Sequence, residues 1–314
     1  MGVVDGGSGR ERSRRHLLKI GCGSFLAGTG VCLDLRSVAA ANSEGLPREW
    51  PSFEFLVVTD THLGYREKTG AERQWEKTAA QLAEANGEFL LHLGDVVDRG
   101  QEPQYAIYRR IRDTIGKPVH EIPGNHDPVD LFEKHLEVKA DRVVDHGGVR
   151  FILMGNAHRD SHDGFFTAEQ IAWLEARCRE AVEEELWVII AAHVPVHANR
   201  PPDRAWYVKP ENGQTAFYET LDRFRGRVLA LFHGHFHNGI RGWDDRAPLH
   251  EVLFPSALYN LDRGLEAKGA PGYNLAEFRP GYVAAAFSEG KLTLRYCPVG
   301  ETPGVEKVLR WQGG

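Results

Sequence analysis

The sequence predicts an α/β layered fold with at least partly parallel strands, on two observations. From residue 53 to about 233, short apolar runs alternate with amphipathic stretches of helical spacing. Most of those apolar runs also end in the same kind of residue, Asp, Asn or His beside glycine. FEFLVV (53–58) reads as a buried strand. A helix follows over about 72–86, with Trp75, Ala79, Leu82 and Ala83 on one face. FLLHL (89–93), the helix 102–116 and PVHEI (118–122) come next. RVVDH turns through Gly147-Gly148 into the strand 149–155. The helix 167–185 opens on Thr167, placed to cap it. LWVIIAA (186–192) is a fully apolar strand, and RVLALFH (227–233) is the next. Beyond residue 250 the helical spacing fades, and LHEVLF, YVAAAF and KLTLRYC read as strands of a second, mixed or antiparallel sheet.

Composition is that of an ordinary globular chain: 314 residues, 42% apolar and 26% charged. No linker divides residues 42–314, which read as a single domain. Net charge is −6; residues 1–41 hold six Lys/Arg and three Asp/Glu, so the remainder carries −9. An acidic body disfavours charge-driven binding of nucleic acid. Of four cysteines, Cys178 shares a helical stripe with Ile171, Leu174 and Val182 and reads as core. A bridge from Cys178 to Cys297 is not expected.

The first 41 residues read as an address rather than as domain. Ser13-Arg14-Arg15-His16-Leu17-Leu18-Lys19 precedes a mild, glycine-rich apolar stretch and then Ala39-Ala40-Ala41. The pattern resembles a twin-arginine signal, which implies the twin-arginine export machinery as a partner, cleavage near Ala41 and a folded protein in the periplasm or cell envelope. The plain alternative is an uncleaved basic tail. A lipid anchor at Cys22 or Cys32 is disfavoured by Lys19 and Thr29 three places before them, and no stable membrane anchor is expected.

Residues 232–239, FHGHFHNG, place His233, His235 and His237 on alternate positions. In an extended segment such residues point the same way, which suits either a metal site or a His-rich strand edge. The other strand endings supply partners. FEFLVV runs into Thr59-Asp60-Thr61-His62, FLLHL into GDVVDRG (94–100), PVHEI into Pro123-Gly124-Asn125-His126-Asp127, and LWVIIAA into His193. In open α/β sheets, functional groups gather beyond the carboxyl ends of the strands. Asp60, His62, Asp95, Asn125, His193, His235 and His237 are too many for one four-coordinate ion, and fit two if a carboxylate bridges them. Imidazole with carboxylate suits Mn, Fe or Zn better than Ca or Mg.

DxH, GDxxDRG, GNHD, a lone His after an apolar strand, and GHxH, in that order over residues 60–237, resemble the calcineurin-like metallophosphoesterase superfamily, and within it the compact bacterial branch that includes class III cyclic-nucleotide phosphodiesterases. The resemblance implies a four-layer αββα sandwich, two mixed sheets flanked by helices. It also implies two divalent or mixed-valence transition-metal ions and a small phosphorylated substrate, with a monoester, a diester and a cyclic nucleotide all open. By it, Asp60, His62 and His237 hold one ion, Asn125, His193 and His235 the other, and Asp95 bridges. Metal-bound hydroxide attacks, His126 protonates the leaving alkoxide as general acid, and Asp98 orients its ring. Arg99 is a candidate for a phosphate oxygen. Trp206 and Tyr207, with Lys209, Tyr259 and Arg263, are candidates to meet the leaving group. Gly94, Gly124 and Gly234 are expected to allow sharp turns.

His92, His120 and His233 read as neighbours rather than ligands; the loop 156–163 is polar enough to line a pocket, with a solvated loop as its default reading. Many relatives read HHPP where this chain has His193-Val194-Pro195-Val196, so a substrate contact from position 194 is in doubt. Three rival readings are a protein-serine/threonine phosphatase, disfavoured by the export signal and the GHxH ending, a nuclease of the same superfamily, disfavoured by the acidic body, and a metal-binding structural module without catalysis, disfavoured by the intact His126 and Asp98.

Overall fold

The computed structural model describes residues 49–65, 70–198, 204–237, 240, 249–259 and 279–311. The export segment and Arg263 lie outside them. Two sheets pack face to face. The first runs β11 (Val305–Arg310), β10 (Lys291–Pro298), β9 (Gly281–Ser288), β1 (Glu54–Val58), β2 (Leu90–His92) and β3 (Val119–Glu121). The second runs β4 (Arg142–His146), β5 (Val149–Met154), β6 (Trp187–Ala192), β7 (Val228–His233) and β8 (His250–Leu253). β1, β2 and β3 are parallel, as are β5 to β8. The carboxyl ends of two parallel sets therefore meet, which is what positions the site.

Phe55, Val57, Leu91, Phe151, Ile189 and Phe232 fill the space between the sheets. The other face of β1 and β2, through Leu56, Val58 and Leu90, packs against α1 (Ala71–Glu84), α2 (Glu102–Arg112) and α3 (Val129–Leu136). The outer face of the second sheet, through Ile152, Val188 and Ile190, is covered by α4 (Ala168–Glu183) and α5 (Gln214–Arg223). The result is the αββα sandwich, two mixed sheets with flanking helices.

Local chemistry explains the elements that matter for the site. Thr167 and Gln170 form a reciprocal capping box at the start of α4. The same Gln170 amide donates to the Gly155 carbonyl, 2.8 Å away, and so ties the helix to the exit of β5. Gln104 caps α2 through Gln101 and also accepts from the Arg99 N–H, 3.2 Å away, linking that helix to the loop after β2.

Three expectations need correction. The strands after residue 250 do not make a sheet of their own. β9 pairs antiparallel with β1 and carries β10 and β11 onto the free edge of the first sheet, while β8 joins the second sheet in parallel. The stripe containing Cys178 runs through Leu174 and Ala181; Val182 points to solvent. α3, α5 and β11 carry little sequence signal, because the two helices span only eight and ten residues and β11 breaks the strand alternation with Glu306-Lys307 followed by Val308-Leu309. Cys178 and Cys297 are both buried and unbridged.

Candidate metal centre

The loops after β1 and β2 stay zipped beyond the strand ends. Asp60 N–H donates to Gly94 O and His62 N–H to Asp95 O, each at 2.9 Å. Within that ladder the backbone departs from strand geometry. Asp60, His62, Asp95, His235 and His237 all have positive φ, between 40° and 69°. They are five of the nine such non-glycine residues among the described ones. Each left-handed residue costs about 1–3 kcal/mol. Five within one cluster mark a site that the surrounding fold holds against its local preference.

Besides a cluster of His62, Asp98 and His126 at the edge, two groups of donors result. Asp60, His62 and His237 converge, as do Asp95, His193 and His235. His62 Nε2 lies 3.1 Å from His237 Nε2 and 3.7 Å from Asp60 Oδ1, and His237 Nε2 lies 3.0 Å from that same oxygen. In the second group, His193 Nε2 is 3.2 Å from Asp95 Oδ2. Asp95 Oδ2 is also 3.4 Å from His62 Nε2, so one carboxylate oxygen borders both groups. Its other oxygen accepts from the His126 N–H at 2.8 Å.

Second partners fix the ring orientations. His237 Nδ1 donates to Tyr259 O (2.8 Å) and His193 Nδ1 to Leu93 O (2.7 Å), which turns both Nε2 lone pairs inward. His235 is the reverse: Nε2 donates to His162 O at 3.0 Å, leaving Nδ1 for the centre. His237 Nε2 thus faces Asp60 Oδ1 as acceptor against acceptor, an arrangement that a cation between them makes favourable. Asp60 Oδ1, Asn125 Oδ1 and His193 Nε2 are buried without a hydrogen bond. Buried polar atoms are rarely left so, and these three belong to the predicted ligand set. The donor chemistry fits a pair of transition-metal ions.

Electrostatics agree. Burial opposes ionisation of Asp60, but the His237, His62 and His193 imidazoles outweigh it and hold its pKa well below the usual range. Asp95 behaves likewise: burial opposes its charge and His193 and His62 more than restore it. Burial disfavours charge on His62 and His193 too, yet Asp95 foremost pushes them up to about 10 and about 9. His235 goes the other way, lowered by burial and then by His193. The cluster favours positive charge at its middle, and ligated cations replace imidazole protons in that role.

The remaining predicted residues take distinct places. His126 stands at the edge, 34% exposed, with its ring edge-on to His62. Its Nδ1 donates to the main-chain carbonyl of Asp98 at 2.5 Å, while the Asp98 carboxylate is 3.7 Å from that nitrogen and 3.4 Å from His62 Nδ1. Asp98 therefore meets His126 chiefly through its backbone, and its carboxylate sits between the two rings. Arg99 is 64% exposed and lies 3.5 Å from Asp98. Trp206 stacks on His162 at 3.9 Å and lies beside His235, at the rim of the second group. The Tyr207 ring is instead occupied by Lys209 Nζ, 3.6 Å from its centre. His233 is a neighbour: its Nδ1 donates to Ala192 O and its Nε2 faces Glu251.

At Gly124 and Gly234 the need is close approach rather than positive φ. A Cβ at Gly124 would lie 2.1 Å from Asp95 Oδ1, and one at Gly234 2.1 Å from Thr59 Oγ1. Val194, where a relative's second His would stand, is fully buried against Gly164. Asn156 holds it there by bonding the Val194 N–H and carbonyl together.

Asp127 escaped the sequence reading, although it closes the GNHD motif. Its carboxylate accepts from the N–H groups of Val96, Val97 and Gly124 and from the Tyr105 hydroxyl, pinning the loops after β2 and β3 to one another. Burial, then Asp95, raises its pKa to about 7. The loop of His162 borders the site rather than being merely solvated, but nothing in a polar loop signals that its carbonyl will orient a distant imidazole.

Comparison with known proteins agrees with this geometry. The family model described as calcineurin-like phosphoesterase matches residues 53–239. A probable cyclic nucleotide phosphodiesterase from Rhodopseudomonas palustris is 26% identical over 214 residues, 63% of this chain and 76% of that protein. A glycerophosphodiester phosphodiesterase from Enterobacter lignolyticus is 26% identical over 158 residues, 46% of this chain and 54% of that one. Among solved structures, a dimetal phosphatase from Danio rerio superposes with a TM-score of 0.57 at 16% identity, covering 83% of this chain and all of that one. A purple acid phosphatase from yellow lupin gives 0.61 at 14% identity over 85% of this chain and 55% of its own. Motif order, fold and donor cluster converge with the family match: the chain belongs to the calcineurin-like phosphoesterase family and is a metallophosphoesterase.

Proposed function

We propose that the protein hydrolyses a small phosphodiester, using two ions of the Mn, Fe or Zn class. Asp60, His62 and His237 would hold one ion, Asn125, His193 and His235 the other, and Asp95 would bridge. Such a pair, when bound, makes water a nucleophile near neutral pH and neutralises charge on the phosphoryl oxygens. The observation that carries this reading is the position of Asp95 Oδ2, within 3.4 Å of His62 Nε2 and 3.2 Å of His193 Nε2. The diester preference rests on the two relatives just described, both of which are named as diesterases.

His126 is the proton donor in this scheme. Its Nδ1–H is committed to the Asp98 carbonyl, so Nε2 would be the nitrogen that gives a leaving alkoxide its proton. General acids so placed contribute about 10²–10⁴-fold. Arg99, exposed beside Asp98, would bind a phosphate oxygen, and Trp206, beside His235, would border the leaving group. Export through the twin-arginine route, proposed from residues 14 and 15 and the apolar stretch behind them, would carry the protein out already folded and loaded. Replacing both arginines by lysine should leave it in the cytoplasm on fractionation.

The test is metal analysis of the purified protein followed by hydrolysis of a generic aryl diester and monoester. Two ions per chain with diester turnover are expected. Bound metal with no turnover of any ester in a wider panel would instead favour a non-catalytic metal-binding module.

A further inference from the structure

Beneath the centre lies a buried polar group that the scheme above leaves unused. Glu251, on β8, is 4% exposed, and His233, the last residue of β7, is 1% exposed. Glu251 Oε1 accepts from the N–H groups of Val196 (2.9 Å) and His197 (2.8 Å) and lies 3.0 Å from His233 Nε2. Its other oxygen accepts from the Tyr218 hydroxyl of α5 at 2.8 Å. The far nitrogen of His233 donates to Ala192 O at 2.7 Å.

Together these contacts bracket His193. The residue before it is held by His233, and the third and fourth residues after it are held by Glu251. A carboxylate taken so far from water is expensive unless every lone pair is used, and here two of its four partners are main-chain N–H groups of the loop that follows His193. By contrast the turn carrying His235 has an anchor of its own, the His235 N–H to Asp60 Oδ2 bond at 3.1 Å. Asp60 and His62 are held by the ladder to the loop after β2.

We propose that Glu251 and His233 are positioning residues for His193, and through it for the ion held by Asn125, His193 and His235, while the ion at Asp60, His62 and His237 does not depend on them. This rests on the two-ion reading above. The pair acts by fixing the main chain on both sides of one ligand, so that its imidazole meets the centre without reorganisation. Metal-supporting partners of this kind are typically worth about 10–100-fold in metal affinity.

The test is titration of the metal-free protein with Mn²⁺, followed by calorimetry and by paramagnetic resonance, with the thermal midpoint of the metal-free form as a check on folding. Wild type should take up two ions and show the spin-coupled signal of a pair. Glu251→Ala should bind one ion with unchanged affinity and the other about 10–100-fold more weakly, with the coupled signal replaced by an isolated one at limiting Mn²⁺. Glu251→Gln keeps an oxygen for the two N–H groups and should recover most of the loss. If Glu251→Ala does not fold, the Gln variant alone decides, with about a three- to tenfold weakening of one ion as the lower part of the same effect. Equal weakening of both ions, or unchanged affinity for both in whichever variant folds, overturns the proposal. Failure of wild type to bind two ions removes this inference together with the reading it rests on.

Discussion

Gly124→Ala probes how tightly the centre is built. The glycine lies in the ordinary φ range, so alanine meets no backbone penalty there, and it trims unfolded-state entropy by about 0.4–1 kcal/mol. The methyl group would, however, sit 2.1 Å from Asp95 Oδ1 and 2.4 Å from Asp95 N, where contacts under 3.0 Å essentially never occur. Asp95 must therefore retreat by about 1 Å, and a misplacement of that size costs about 10²-fold in turnover. The same step pulls Asp95 Oδ2 from its place near His62 and His193. Overpacking of this kind costs about 1–3 kcal/mol, partly offset by the entropy gain, so the variant should still fold. Diester turnover, metal content by mass spectrometry and the thermal midpoint read out the three consequences separately. Two ions per chain with turnover within about twofold of wild type would refute the claim that Asp95 is placed by its contact with Gly124.

Other substitutions address other parts of the site. His126→Ala should keep both ions and lose about 10²–10⁴-fold in turnover; retained activity would remove His126 from the proton-donor role. Asp95→Ala should lose at least one ion on metal analysis, and full occupancy would count against a bridge. Away from the centre, burial, then Arg142 and His146, lowers His120 from 6.5 to about 4. The folded state thus keeps this ring neutral while the unfolded chain protonates it first. Its contribution to stability is present above pH 6.5 and is lost as pH falls towards 4. Urea unfolding at pH 7 and pH 5 should show a smaller loss for His120→Gln than for wild type, and an equal loss would contradict the assignment.

Much of the fold and of the site is legible in the sequence. Strand and helix alternation is written in hydrophobic spacing, so β1, β2, β3, β5, β6, β7 and the longer helices fall close to their predicted ranges. The seven donors could be read because each ends an apolar run, and the parallel strands bring those ends together. Sheet membership could not be read. Nothing in YVAAAF says that it will pair with β1 rather than start a sheet of its own, since pairing partners are chosen by tertiary packing. Ring orientation was equally hidden. His235 presents Nδ1 because a carbonyl 73 positions away takes its Nε2–H. The Asp98 contact came out through the backbone because the turn brings its carbonyl, not its carboxylate, nearest to His126. Glu251 carried no signal at all, being one acidic residue next to His250 at the start of a short strand.

The most direct test is a crystal of the protein grown with Mn²⁺, with anomalous difference density collected at a wavelength where manganese scatters. Two peaks about 3.5–4 Å apart, with the Asp95 carboxylate between them and His126 bordering the cleft, are expected. A single peak, or two peaks that share no carboxylate, would contradict a bridged pair of ions as the working centre of this protein.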